Sequence, residues 1–130
     1  MKISSDWTSP TNLSTDISYT YLDGCLGLYC IAISDNYFIE YPLGKNKIVY
    51  FGSGNLYQRI MAHSNPSSWS GNAEVQDLLE NGHFLEFSYL EVDYTYEEEL
   101  RSLEGDLIEE FEKRFGSKPI GNNKIYFLRE

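Results

Sequence analysis

The segment 96–115 places the strongest constraint on the fold. Read as a helix at about 100° per residue, it gathers its apolar side chains on one stripe: Leu100, Leu103, Leu107, Ile108, Phe111 and Phe115. A helix with a single apolar stripe has to bury that stripe against another layer. The segments 27–34, 47–52 and 83–92 are rich in β-branched and aromatic residues, which is typical of strands. We therefore predict an α/β domain on a small, largely antiparallel sheet.

The order of the remaining segments completes this prediction. The first two strands are expected to form a hairpin with a long connection that turns at Gly44–Asn46, and a helix follows from an Asn55 N-cap to His63. The segment 73–80 is a second helix that ends at Asn81-Gly82, and the long helix begins with a capping box of Thr95 and Glu98. Residues 1–20 are rich in Ser, Thr and Asp and are predicted to be a loosely structured polar lead-in before a domain at 21–130.

Charge and composition exclude several classes of protein. The net charge is −10, and residues 67–130 carry fifteen acids against six Lys or Arg. An acidic surface repels polyanions and favours basic or metal-bearing partners. No run approaches the roughly 20 apolar residues of a membrane helix, and the N-terminus lacks the apolar core of a signal peptide. We expect a cytoplasmic protein, with no membrane partner.

Glu104 lies where a carboxylate is unexpected. With Leu100 at zero, its position falls at about 40°, inside the apolar stripe. A carboxylate on a buried face needs a cation, a metal or several hydrogen bonds. The alternative is that the helix meets its sheet off-centre, so that Glu104 lies at a hydrated boundary.

Arg59 and His63 present the same anomaly on the earlier helix. They are four residues apart and lie on or beside the inner face that Leu56 and Ile60 define. An inward guanidinium with a titratable ring is a plausible oxyanion site. A structural ion pair of Arg59, with Glu104 as one candidate partner, is equally compatible with the sequence.

Two tyrosines complete the candidate set. Tyr29 and Tyr50 lie on the two hairpin strands, where packing in the core is the simpler interpretation. Gly52 and Gly54 permit close backbone approach or a positive φ between strand and helix. One carboxylate, one Arg, one His and two phenols together fit metal-assisted hydrolysis of a phosphodiester.

These residues resemble the motifs of the GIY-YIG nuclease family. The two name-giving motifs appear as Gly27-Leu28-Tyr29 and Tyr50-Phe51-Gly52, each with one conservative departure. The Arg-x-x-x-His segment appears as Arg59 and His63. The later motifs also occur in order over residues 24–123, as Glu104, Leu107, Ile108, Phe111, Pro119 and Asn122.

The resemblance implies a fold, a reaction and a role for each residue. The fold would be a three-stranded antiparallel sheet flanked by helices, and the activity a metal-dependent DNA endonuclease. Glu104 would hold a single Mg²⁺ or Mn²⁺, and Arg59 would bind the scissile phosphate. Tyr29 and Tyr50 would line the site, and one of these two phenols would orient or activate the attacking water. His63 would assist in that proton transfer. Gly52 and Asn122 would lie on the substrate side, where Asn122 fixes the geometry of the site.

Two departures keep an alternative open. The 21 residues from Tyr29 to Tyr50 make 34–46 an insertion, whose tip either contacts substrate or extends the sheet. Residues 91–112 hold ten acids and one arginine, so intrinsic DNA affinity should be weak. The nuclease would act either alone or with a protein partner that supplies affinity or specificity. The alternative function is a non-catalytic acidic module that engages a basic protein as a DNA mimic.

Overall fold

The computed structural model describes residues 7–92 and 97–123. These residues form six strands: β1 (Thr11–Asn12), β2 (Leu26–Ile33), β3 (Ile39–Tyr41), β4 (Gly44–Asn46), β5 (Ile48–Asn55) and β6 (Leu85–Glu91). They also form three α-helices: α1 (Leu56–Ser64), α2 (Ala73–Glu80) and α3 (Glu97–Phe115). Short 3₁₀ turns occupy Thr20–Leu22 and Ile120–Asn122. None of the helices that the structure describes has the length and apolar character needed to cross a bilayer.

The central sheet is antiparallel and has the order β1-β6-β2-β5. The predicted α/β class and the antiparallel hairpin of β2 with β5 are confirmed. The predicted count of three strands misses β1, which pairs with β6 through Thr11 and Asn12. Two polar residues carry no alternation of hydrophobicity, so the sequence gives no signal for this strand.

The N-terminal segment is more ordered than its composition indicates. From Trp7 onward it is described, and Leu13, Tyr19 and Leu22 are buried in the core. The Tyr19 hydroxyl donates to the Asn12 carbonyl at 2.8 Å, which ties the segment to β1. The prediction of a loose lead-in is therefore wrong from residue 7 to residue 20, because single large apolar residues between turn residues are enough to anchor it.

The two faces of the sheet carry separate cores. Successive side chains of β2 point to opposite faces, so Tyr29 and Ile31 pack under α1 and α2 while Leu28 packs under α3. On the α3 face, Leu107 and Phe111 of the predicted stripe meet Phe51 of β5. Because β5 is the last strand of the central sheet among the described residues, groups from both faces can meet at its edge.

The connection between β2 and β5 adds to the α3 face. It contains the β3–β4 hairpin, whose turn lies at residues 42–43 rather than at the predicted Gly44–Asn46. Tyr41 packs edge-on against Phe111, with ring centroids 5.0 Å apart. The segment 34–46 thus contains a second small sheet and does not extend the central one.

The predicted helix ends agree with the structure where it describes them. The Asn55 side chain caps α1 by accepting the Gln58 N–H at 3.1 Å. Gly82 follows α2 with φ +88°, the left-handed conformation that favours glycine at this position. Thr95 of the predicted capping box lies outside the described residues.

Candidate active site

The candidate site lies at the edge of β5. Tyr50 from β5, Glu104 from α3 and Asn122 from the second 3₁₀ turn line one cavity of about 720 Å³. Residues from three segments complete its wall: Asn72, Gly105, Ile108, Glu109, Glu112, Lys118 and Gly121. Residues about 70 apart in sequence thus face one solvent-filled space.

His63 and Tyr29 form a buried pair behind this cavity. Both side chains are 0% exposed, and His63 Nε2 lies 2.7 Å from Tyr29 Oη. His63 Nδ1 accepts the backbone N–H of Asn72 at 3.0 Å. A backbone N–H can only donate, so Nδ1 carries no proton and the neutral ring is protonated at Nε2. The ring therefore donates to the Tyr29 hydroxyl.

The surroundings keep His63 neutral. Burial and, to a lesser extent, the positive charge of Arg59 together lower the pKa of His63 from 6.5 to about 3. Protonation of the ring would also place an Nδ1–H donor against the Asn72 N–H donor and so break that hydrogen bond. In this structure His63 is thus a fixed hydrogen-bond donor that orients Tyr29.

The depressed pKa of His63 predicts a pH-dependent stability. Since the unfolded state binds the proton below about pH 6.5 and the native state only near pH 3, stability is complete above pH 6.5 and falls as pH drops. We expect a loss of about 2 kcal/mol in the free energy of unfolding between pH 7 and pH 5. Urea unfolding at both pH values measures it.

The two histidines of the chain provide the comparison for this prediction. His63→Gln should remove most of the pH dependence, whereas His83→Gln should keep it, because His83 lies near the surface against Asp35. An unchanged pH dependence in His63→Gln would show that His63 is not held neutral.

The two tyrosines occupy different positions. Their ring centroids are 6.0 Å apart, but Tyr29 is fully buried whereas Tyr50 is half-buried and lines the cavity. Burial raises the pKa of both phenols, and the charge of Glu104 raises the pKa of Tyr50 further while Arg59 opposes it. Tyr50 is therefore the phenol that a bound molecule can reach.

Gly52 lies beneath the Tyr29 ring. The two residues are opposite each other in the β2–β5 pair, and a Cβ at Gly52 would lie 2.3 Å from Tyr29 Oη. The predicted close approach is confirmed, and the group that approaches is Tyr29. Gly52 is buried and does not line the cavity.

Arg59 projects from α1 next to the phenols. Its Nη2 donates to the Ser70 carbonyl at 3.2 Å and lies 3.5 Å from His63 Nε2. Gly54 adopts φ +127° between β5 and α1, as its position predicts. The guanidinium is half-buried and lowers the pKa of both Tyr29 and Tyr50, so its charge acts on the whole group.

Glu104 reaches the cavity from the opposite face of the sheet. It is half-buried, and its Oε1 accepts the Ser53 hydroxyl at 2.6 Å. Carboxylate oxygens suit Mg²⁺, which is commonly held by one or two carboxylates together with water and substrate phosphate. A carboxylate at the wall of an open cavity fits that pattern. The part of the chain that the structure describes contains no preassembled group of three or more His, Cys, Asp or Glu ligands.

Asn122 completes the edge of β5. Its amide donates to the Phe51 carbonyl and accepts the Phe51 N–H, both at 2.9 Å. The side chain thus takes the place of a neighbouring strand and fixes the backbone next to Tyr50.

Asn72 and Ser53 were not singled out from the sequence. Asn72 caps α2, orients His63 and donates its amide to the Gly121 carbonyl at 2.9 Å. Its place before the helix 73–80 is a cap signal that the sequence does contain. Ser53 comes directly after the strand predicted at 47–52. In the structure this strand continues to Asn55 and therefore includes Ser53.

The walls of the site differ in charge. The α3 wall carries Glu104, Glu109 and Glu112. The segment 41–73, which includes β5 and α1, contains three Lys or Arg and no Asp or Glu. All the acidic residues of the chain therefore lie outside this segment, and the site is at the border between the two regions.

The structure brings together most of the predicted residues. Tyr50, Glu104 and Asn122 share the cavity, while Tyr29, His63 and Arg59 form a connected group next to it. Comparisons with protein-family models, curated proteins and solved structures return no match for this chain.

Proposed function

We propose that this protein is a metal-dependent endonuclease that hydrolyses DNA phosphodiester bonds, with a GIY-YIG-like arrangement of its site. The observation that carries the proposal is that Tyr50 and Glu104, from opposite faces of the sheet, line one cavity beside the guanidinium of Arg59. A carboxylate that can hold a metal ion, a phenol and a guanidinium form a set of groups that can support phosphoryl transfer to water.

Glu104 is the residue that would hold Mg²⁺ or Mn²⁺. The bound ion would supply positive charge that stabilises the transition state. Ser53 donates to Oε1 of Glu104, which fixes the carboxylate in place before any ligand arrives. Glu109 and Glu112 line the same cavity and add negative charge that attracts a divalent cation.

Arg59 would bind the scissile phosphate. Arginine stays charged and offers several donors to phosphate oxygens. Its hydrogen bond to the Ser70 carbonyl holds the guanidinium near both phenols before substrate binds.

Tyr50 would orient the attacking water through its hydroxyl, because its raised pKa keeps the phenol protonated. Among the two phenols, only Tyr50 lines the cavity. Tyr29 would position Tyr50 from behind, since His63 donates to its hydroxyl and its ring packs next to Tyr50. Asn122 would keep the β5 backbone in register beneath both groups.

The acidic α3 surface supports one other function. Five acids on this helix are exposed: Glu98, Glu99, Asp106, Glu109 and Glu112. A basic protein could bind this surface electrostatically. The function would then be that of a non-catalytic binding module.

The role of Arg59 gives a first test. Supercoiled plasmid should be nicked by the wild type in Mg²⁺ or Mn²⁺ and stay intact in EDTA. Arg59→Ala should nick about 10²-fold more slowly, because it loses phosphate contacts that strengthen in the transition state. Gln58→Ala, an exposed neighbour on the same helix, should match the wild type. Equal nicking rates for Arg59→Ala and the wild type would remove Arg59 from the mechanism.

A further inference from the structure

We propose that Trp69 is a stacking platform for an unpaired base of the DNA strand whose phosphate Arg59 binds. The preferred substrate is then DNA with unpaired bases next to the cleavage site, such as a single strand or a branch point. This inference deepens the nuclease function proposed above and rests on it.

Trp69 is exposed to an unusual degree. Its side chain is 96% accessible, more than any other large hydrophobic residue in the described part of the chain. Tryptophan carries a large apolar surface and is usually well covered in proteins. An indole presented whole to solvent is therefore a candidate contact for a ligand with a flat aromatic face.

The loop that carries Trp69 is held firmly on both sides. The Gln76 side chain of α2 donates to the carbonyls of Asn65 and Ser68, and the Ser68 N–H donates to the Asn65 carbonyl at 3.0 Å. A Cβ at Gly71 would lie 2.5 Å from the Ala62 carbonyl, so the loop also packs closely on α1. A platform that is fixed in advance loses little entropy when a base stacks on it.

The same loop binds the residue proposed to hold phosphate. Arg59 Nη2 donates to the carbonyl of Ser70, the residue that directly follows Trp69. A strand whose phosphate meets Arg59 would thus pass next to the indole. No other aromatic side chain in the described residues is as exposed as that of Trp69.

The charge of the chain favours a stacking contact. Most proteins bind DNA through many Lys and Arg contacts that release counterions, whereas this chain has a net charge of −10. Trp69 and Arg59 both lie in the segment 41–73, which carries no acid. A strand can approach along this segment, and base stacking supplies affinity that does not depend on salt.

Stacking also selects the form of the DNA. Inside a duplex both faces of each base are covered by its neighbours, so an indole can stack only on a base that is unpaired or turned out. The wild type should therefore bind single strands or branched DNA more tightly than a fully paired duplex.

Binding measured in EDTA tests the platform apart from cleavage. The probes are a ten-nucleotide oligothymidine and a ten-base-pair duplex, each labelled for fluorescence anisotropy. Trp69→Ala should bind the single strand about 10- to 100-fold more weakly, with an unchanged dependence of affinity on salt. Arg59→Ala should lower the slope of log affinity against log salt concentration by about one, the value expected for one lost phosphate contact. Phe84→Ala is the matched control, because Phe84 is 71% exposed at the start of β6. Trp69→Phe should retain most of the affinity.

Tryptophan emission provides an independent readout. In a Trp7→Phe background the emission reports Trp69 alone, and the oligothymidine should quench it while the duplex should not. Equal affinity of Trp69→Ala and the wild type for the single strand, or absence of quenching, would overturn the platform. A protein that binds through Trp69 yet cleaves no DNA with Mg²⁺ or Mn²⁺ would overturn the nuclease function and leave the stacking contact established.

Discussion

Replacement of Glu104 by glutamine is expected to lower metal-dependent DNA cleavage by at least about 10³-fold while the fold stays intact. Glutamine has the shape of glutamate and keeps an oxygen that can accept the Ser53 hydroxyl. It lacks the negative charge that holds a divalent ion. The substitution should therefore weaken binding of the metal ion and leave the packing of α3 unchanged.

A titration with Mn²⁺ measures the first part of this expectation. Wild type should bind the ion, and Glu104→Gln should bind it at least about 10-fold more weakly. Glu99→Gln is the control, because Glu99 is exposed on the same helix and does not line the cavity. Equal Mn²⁺ binding by Glu104→Gln and the wild type would place the ion elsewhere.

Replacement of Gly52 by alanine should destabilise the protein by about 3–5 kcal/mol. The new methyl group would overlap the Tyr29 ring, with its closest approach 2.3 Å from Oη. Tyr29 is enclosed by the core and bonded to His63, so it has no free space to move into. Relief of the overlap would break this buried hydrogen bond or open the pair of β2 and β5.

Gly105 provides a matched comparison for Gly52. A Cβ at Gly105 meets nothing within 4 Å, and the residue lies within α3. Gly105→Ala should therefore stabilise the protein by about 0.5–1 kcal/mol through helix propensity. Urea unfolding of both variants measures the difference. A Gly52→Ala protein as stable as the wild type would mean that Tyr29 is not locked in the position described.

The sequence predicts the main elements of this fold because their patterns are local. The apolar stripe of α3, the Asn55 cap and the β-rich runs at 27–34 and 47–52 each depend on neighbouring residues. The anchoring of Leu13 and Tyr19 depends on distant partners across the sheet, so composition alone gave the wrong expectation for that segment. Strand β1 was missed for the same reason.

Helical phase correctly marks the unusual residues but does not show how they meet. It places Glu104 within the buried stripe of α3, and the structure adds that this part of the stripe reaches the open edge of β5. The protonation of His63 depends on Asn72, which approaches from the far end of a loop. Tyr50 is more accessible than Tyr29 because it lies on the edge strand β5, whereas Tyr29 lies on the inner strand β2. Such contacts are tertiary and have no local pattern in the sequence.

The central claim is that the cavity at the edge of β5 is a site of DNA hydrolysis. The most direct measurement is nicking of supercoiled plasmid in Mn²⁺ by the wild type and by Glu104→Gln, purified side by side and assayed at equal concentration. The account predicts nicked product with the wild type and none above background with the variant. Equal product from both proteins, or none from either under conditions where the wild type is folded, would contradict it.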